Sequence, residues 1–421
     1  MAKFNRIAIL FIVILQVSFF SMMTTTSSLF LINSYVYKTL TIFLITCLLL
    51  FNLIFNFNKA NQIRKYHFLI MIFGWIVIYI ITMWGSVLYY DQSILTTIKN
   101  SYIYIMIVLY FLLVLFFDSN KDFKFILSSF SFIGAIYSVI LIIQAILEKR
   151  NIIFLDFGIY GLNPIFDSFG PMLHLIRIAG PADFISFALL LTVIKQIYFK
   201  NKHQLINFLC IIIDFLYIVF VSGTRMYMIL DFVIIVFFFL TLLKKRFPAL
   251  MYGILSVSLV LSTIVVPVII NLFTSGERKL SFDIRLNEIK YYFGKIFYNN
   301  WFGIGFPDAK KYDQLLHGPN NSYVYMSNGK YFVEDVGAMG IVVVFGILGI
   351  IGLLWFAYKV ITALIISKNR DIMLVIILYL LMTIATLSLV DPQRIFYLFV
   401  LIYIMEFIVK KIPYKNLEES Q

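Results

Sequence analysis

Stretches of about twenty mostly apolar residues recur along this chain from one end to the other, and few folds can absorb them. A helix needs ~20 apolar residues to cross the hydrocarbon of a bilayer. Twelve segments near that length can be marked, at about 7–23, 35–56, 68–89, 102–117, 125–147, 181–198, 205–221, 226–243, 249–273, 337–358, 372–389 and 394–409. In lipid each must satisfy its own backbone polar groups, which a helix does and an isolated strand does not. With 62% apolar and only 13% charged residues, a soluble globular domain is excluded. The expectation is an all-α polytopic integral membrane protein, one domain over 1–421 with about twelve transmembrane helices.

Short cytoplasmic connections collect Lys and Arg while short outer ones do not. Here the basic connections alternate: Lys3 and Arg6, then Lys59, Arg64 and Lys65, then Lys121 and Lys124, Lys200 and Lys202, Lys244-Lys245-Arg246, Lys368 and Arg370, and Lys410, Lys411 and Lys415. This pattern predicts that both termini are cytoplasmic. It also accounts for most of the net charge of +13, so no nucleic-acid partner is expected. No small-x-small cleavage site follows the first span, where "SFFSMMTTTSS" runs on, so the span is expected to stay as an anchor. Cys47 and Cys210 both fall inside spans, so neither an outer-loop disulfide nor a Cys-x-x-Cys metal site is expected.

Two outer connections are long, 148–180 and 274–336. The second, between helices 9 and 10, carries Arg278, Lys279, Arg285, Lys290, Lys295, Lys310, Lys311 and Lys330. Orientation does not call for such a basic load outside. Either it is a solvated surface, since long loops escape the charge rule, or it is an anion site facing out of the cell.

Three short patterns point to the anion site. "RIAGPADFISFALLL" begins with Arg177 at the mouth of a span; "VSGTRMYMILDFVII" sets Arg225 in the next hairpin; "RLNEIKYYFGKIFYNNWFGIGFP" supplies Arg285, Glu288 and a Gly303-Ile304-Gly305-Phe306 turn. Their order and placement resemble the O-antigen polymerase and ligase superfamily over roughly residues 170–360. "VEDVGAMGIVVVFGILGIIGLL", where Glu334 and Asp335 lead into a Gly-spaced span, resembles the polymerase branch. Two features depart from the family's patterns. His317 stands three residues ahead of Asn320-Asn321, unlike the His-led ligase motif, and Gly294 follows Arg285 sooner than the polymerase spacing asks.

The resemblance implies a glycosyltransferase in the cytoplasmic (inner) membrane of a bacterium, polymerising polyprenyl-diphosphate-linked oligosaccharide repeat units on the outer face into capsule, exopolysaccharide or O-antigen. The partners it implies are that lipid-linked substrate and the bilayer, with a chain-length regulator and a flippase beside them; no cofactor is implied. No Asp-x-Asp occurs, so a metal-dependent nucleotide-sugar route has no anchor. Planar guanidinium groups can clamp diphosphate oxygens bidentately, which suits Arg177, Arg225 and Arg285 to substrate binding. Tyr292 and Trp301 are candidates to stack on sugar rings. Asp335, Glu334, His317 and Glu288 are candidates to accept the acceptor hydroxyl's proton.

Each residue also has a plainer reading. Arg285 and Glu288 at i,i+3 can form a surface ion pair; Arg177 can snorkel as an interfacial anchor and Arg225 can pair with a lipid phosphate; Glu334 and Asp335 can cap a helix. Tyr and Trp at this depth are ordinary interface residues. Asp214 and Asp231, inside spans, suggest a path or a paired interior contact. Asp391 and Arg394 in "VDPQR" can pair with one another. The alternative function is a repeat-unit flippase or other multi-span transporter, which would place charges near the bilayer midplane and keep its outer loops short.

Overall fold

A computed structural model of the chain describes residues 2–17, 34–55, 66–148, 150–153, 161–162, 175–199, 204–247, 277–299, 301–318 and 330–410. The helices are α1 (Ala2–Gln16), α2 (Ser34–Phe55), α3 (Leu69–Tyr90), α4 (Ile94–Ser101), α5 (Val108–Phe116), α6 (Asn120–Glu148), α7 (Ala182–Phe199), α8 (Gln204–Leu216), α9 (Arg225–Arg246), α10 (Glu277–Asn299), α11 (Asp313–His317), α12 (Met339–Ile366), α13 (Arg370–Thr383) and α14 (Ile395–Lys410). Among the described residues the only strands are β1 (Gly161–Leu162) and β2 (Ile176–Arg177), a single antiparallel pair. Among the described residues eight helices, counting α4–α5 and α8 with its terminal turn as continuous, are long and apolar enough to cross a membrane. The protein is an all-α polytopic membrane protein.

Several expected boundaries shift. The span expected at 102–117 begins earlier, because Ser93 caps α4 through Thr96 N–H at 3.1 Å and a 3₁₀ stretch (Tyr102–Ile107) carries the helix on into α5. The span expected at 372–389 stops at Thr383. The carbonyl of the next residue, Ile384, instead accepts from Ala338 N–H at 2.8 Å, and the chain turns before α14. The span at 249–273 and the end of 7–23 lie outside the described residues.

Helix ends sort to two ends of the bundle. At one, Arg6 of α1 pairs with Asp122 at the start of α6 (2.7 Å), Phe123 stacks on Phe407 of α14 (4.0 Å between ring centres), and Glu406 accepts from the His67 and Phe68 N–H groups that lead into α3. The first helix thus starts, and the last helix ends, at the same end. Helices α7 and α14 are buried around nearly their whole circumference, and their mostly apolar sequence fits a central position. Two reciprocal contacts lock α3 to α12: Gly74 seats the ring of Trp355 and Gly352 that of Trp75, the small-residue logic of helix contacts in membranes.

The break in α12 positions everything that follows. Gly346 adopts φ 58° and ψ −136°, which opens the helix and frees backbone groups on either side. The Gly303–Phe306 segment fills the opening. Ile304 N–H donates to Val343 O and Gly305 N–H to Val344 O, each at 2.9 Å, while Ile347 N–H donates to Trp301 O at 2.9 Å. Ser86, Tyr90 and Gln92 hold the strap from its other side, bonding Phe306 N–H, Ile304 O and Phe306 O at 2.9, 2.7 and 2.8 Å. Irregular backbone beside apolar helices is tolerated only when satisfied and covered by protein, and here every freed group named has a partner.

Candidate functional site

At the bundle end opposite Arg6 and Glu406, charged side chains from five separate segments interact: α2, α7, α10, the turn before α12 and the turn before α14. Gly180-Pro181 lead into α7, and Asp183 falls in its first turn. Tyr227 of α9 donates its hydroxyl to Asp183 Oδ1 at 2.6 Å. Arg394, just before α14, places Nε 2.6 Å from Asp183 Oδ2 and Nη1 2.5 Å from Asp391 Oδ2. Burial pushes the Asp391 carboxyl up to about 7, with Arg394 pulling it down. Lys38 of α2, half-buried, lies within electrostatic reach of Asp391, Glu334 and Asp183.

Arg177 sits on β2, where Ile178 N–H donates to Val221 O at 3.2 Å and Tyr217 donates to Ile178 O at 2.7 Å. Its guanidinium Nε donates to Ser222 O at 3.0 Å. The residue is therefore docked on the π-helical end of α8 (Tyr217–Ser222). Gly223 then turns the chain in the left-handed region (φ 57°) and Arg225 opens α9. Two of the three expected arginines thus share one turn.

Glu334 and Asp335 ride a 3₁₀ turn (Val333–Val336) that ends at Gly337, φ 61°, where the backbone packs directly on Ile384 and Ala385. Asp335 opens to solvent but is enclosed on its other sides, and this burial raises its carboxyl above the ordinary range against the pull of Arg285 and Arg394. Glu288 does not make the exposed i,i+3 pair. It turns inward, 1% exposed, with Oε1 accepting from Phe332 N–H at 3.3 Å and Oε2 buried without a partner among the described residues. Burial first, then the nearby Asp335 charge, push Glu288 up to about 7; the Phe332 N–H and Arg285 oppose them. The half-buried Arg285 acts on both carboxyls.

The remaining expected residues separate. Tyr292 is wholly buried with Ile304, Val336 and Val343, and its hydroxyl donates to Leu316 O at 2.6 Å. It anchors α10 to α11 and has no free face for a sugar, contrary to the stacking reading. Trp301 is 59% exposed beside the strap. His317 turns toward the Tyr331 carbonyl (Nδ1 at 2.9 Å) and Asp313 (Nε2 at 4.0 Å), where Lys330 also pairs with Asp313. It belongs to this side network, and its ring also packs edge-on against Phe332, whose N–H donates to Glu288. Asp231 bonds Ser186 at 2.7 Å, a paired interior contact. The expected Asp391–Arg394 pair forms.

Asp183 and Lys38 were not marked by the sequence reasoning. An acid in a first helical turn and a basic residue near the start of a span are each ordinary, and only their convergence here distinguishes them.

The family model described as O-antigen ligase matches residues 208–354. That segment runs from α8 through the break at Gly346 and holds Arg225, Arg285, Glu288, the Gly303–Phe306 strap, His317, Glu334 and Asp335. Arg177, Asp183, Asp391 and Arg394 come from outside it. No curated protein matches the chain.

Proposed function

We propose, from the match of residues 208–354 to the family model described as O-antigen ligase, that the chain is a glycosyltransferase of the O-antigen polymerase and ligase superfamily that polymerises polyprenyl-diphosphate-linked oligosaccharide repeat units on the outer face of the bacterial cytoplasmic membrane. The observation that carries the reading is the convergence of Arg285, Glu288, Asp335, Arg394 and Asp183 from distant segments at one bundle end, beside a strap held over an opened helix. In this reading the charged end faces outward and both termini face the cytoplasm.

The growing glycan's anomeric carbon is attacked by a hydroxyl of the incoming unit. A glycosidic C–O bond forms and the C–O bond to the diphosphate breaks, its electron pair passing to the diphosphate oxygen. Arg177, Arg225 and Arg285 hold that developing charge; guanidinium groups do so without losing a proton. The hydroxyl proton passes to a carboxylate. Asp335 suits this role because it opens to solvent in this basic setting, and Glu288, buried beside it with its carboxyl near neutrality, tunes it and can receive the proton in turn. Glu334 lies beside them, and Trp301 offers an exposed ring for a sugar face. Arg394, already held by two carboxylates, acts here as the brace of the site.

Deleting the gene and analysing lipid-linked glycans tests the reading. Loss of a polymerase leaves single repeat units displayed outside. Single units trapped on the cytoplasmic leaflet would identify a flippase instead, and unchanged polymer with loss only of its transfer to an acceptor would identify a ligase.

A further inference from the structure

Below the charged end, an apolar cavity of about 290 Å³ lies between α3, the 3₁₀ stretch with the start of α5, α12 and the beginning of α14. None of its lining residues is charged. It runs along residues 71–80 of α3 and 395–402 of α14, about 10–14 Å at the rise of a helix, so it is a slot along the bundle rather than a round hole. An apolar cavity of ~150 Å³ already stays free of water and takes up hydrocarbon. Ile80 lines the slot and is 50% exposed, so the slot meets the outer surface of the bundle there.

Two features join the slot to the charged end. Val390 and Ile395 line it, and they flank Asp391 and Arg394 in the chain, so its wall passes directly into the ion-paired turn. The strap supplies the other join. Phe306, 5% exposed, packs against three lining rings, with ring centres 5.9 Å from Tyr79, 5.6 Å from Tyr104 and 5.7 Å from Phe345. Phe345 in turn meets Trp75 edge-on at 5.9 Å. The Tyr79 hydroxyl is already engaged with Ser101 at 2.9 Å, which leaves its ring to the slot. Walls built of rings suit the flat, stiff units of an unsaturated isoprenoid chain, since a guest with fewer free torsions loses less freedom on being held.

Building on the transferase reading, we propose that the slot holds the phosphate-proximal isoprene units of the carrier lipid and that Phe306 is the lid at its outer end. The chain enters from the bilayer beside Ile80, and its phosphate end leaves the slot among the charged side chains. Isoprene units packed on Tyr79, Tyr104 and Phe345 fill the space under Phe306, so a filled slot holds the strap in its docked position. The competing occupant is the acyl chain of an ordinary phospholipid, which has no reason to select the end of the slot that joins the ion-paired turn.

Photolabelling of the full chain in lipid nanodiscs tests it, with a polyprenyl phosphate carrying a diazirine near its phosphate and a phosphatidylglycerol carrying one in an acyl chain. The polyprenyl probe is expected to label residues 71–80, 102–108 or 395–402, and the phospholipid probe to label them weakly. Leu398→Trp fills the slot and lowers the polyprenyl label about tenfold, as overpacking does. If that variant does not fold, Val108→Phe serves. Unlabelled polyprenyl phosphate also slows proteolysis of the strap between residues 299 and 310. Label elsewhere, equal labelling by the phospholipid, full labelling in the filled variant or strap proteolysis indifferent to polyprenyl phosphate would each overturn the proposal. Binding is read here without turnover, so the two readings fail separately. Label elsewhere with polymer lost in the gene deletion overturns the slot and spares the transferase; slot labelling with unchanged polymer keeps the slot as a polyprenyl site and overturns the transferase.

Discussion

Arg394 lies 2.6 Å from Asp183, an ion pair that ties the turn before α14 to the first turn of α7. With Asp391 as its second partner, Arg394 shares its one positive charge between two carboxyl groups at a bundle end that also carries Glu334 and Asp335. Removing one member of such a buried set leaves the others uncompensated and costs about 3–5 kcal/mol. Arg394→Gln is expected to lower the unfolding temperature of the purified protein accordingly, while Asp335→Asn leaves it near wild type. A loss below about 1 kcal/mol would mean that the pair behaves as a solvated surface bridge.

The strap makes a second, local test. Gly303 has φ 80°, and a Cβ there would stand 2.5 Å from Val344 O and 2.8 Å from Val343 O. Gly303→Ala meets both the left-handed penalty of about 1–2 kcal/mol and a clash with backbone that cannot yield. Limited proteolysis between residues 299 and 310 should become faster in this variant, and a cysteine at Ile304 should become reactive to thiol reagents. Gly294→Ala, where a Cβ meets nothing within 4 Å, is the control and leaves both unchanged.

Glu288 sets a pH dependence. Its carboxyl rises from an ordinary 4.5 to about 7 in the folded protein. Between those values the folded state binds more protons than the unfolded state, so its contribution to stability is full below about 4.5 and is lost as pH rises to about 7. Glu288→Gln should flatten the fall in unfolding temperature over that window. Through its neighbour Asp335 the same group predicts the opposite slope for turnover, which rises as pH climbs through about 7; an identical pH–rate profile in Glu288→Gln would leave the role to Asp335 alone.

The buried Tyr292 and exposed Trp301 separate packing from sugar contact. Tyr292→Phe loses one hydrogen bond, about 0.5–1.5 kcal/mol of stability, and leaves oligosaccharide affinity intact. Trp301→Ala weakens that affinity without comparable loss of stability. Titration of both variants with a soluble repeat-unit oligosaccharide checks the pair.

Much of the membrane architecture was legible because apolar length is a direct physical requirement: α3, α6, α7 and α9 lie within a few residues of their expected ranges. Arg285 was legible as part of a basic load that orientation does not call for, and Asp335 by its place ahead of a Gly-spaced span. The break at Gly346 was not, since glycine is common in apolar membrane helices and nothing local marks which one opens. Nor was the strap's docking, which depends on side chains of α3 some 220 positions away in sequence. Tyr292 misled because an aromatic run in a loop looks the same whether its rings face lipid, sugar or a small core.

The clamp itself is tested most directly by exchanging arginine for lysine. Arg285→Lys and Arg177→Lys keep the charge but lose the two-pronged geometry. Polymerisation rate and chain-length distribution would be measured on purified lipid-linked repeat units, with membrane abundance as the control. The account predicts normal abundance and a rate lower by roughly ten- to a hundredfold, the equivalent of about 1.5–3 kcal/mol of lost charge-assisted bonding in the transition state. Wild-type rates in both lysine variants would contradict it, because an anchoring charge is served equally well by lysine.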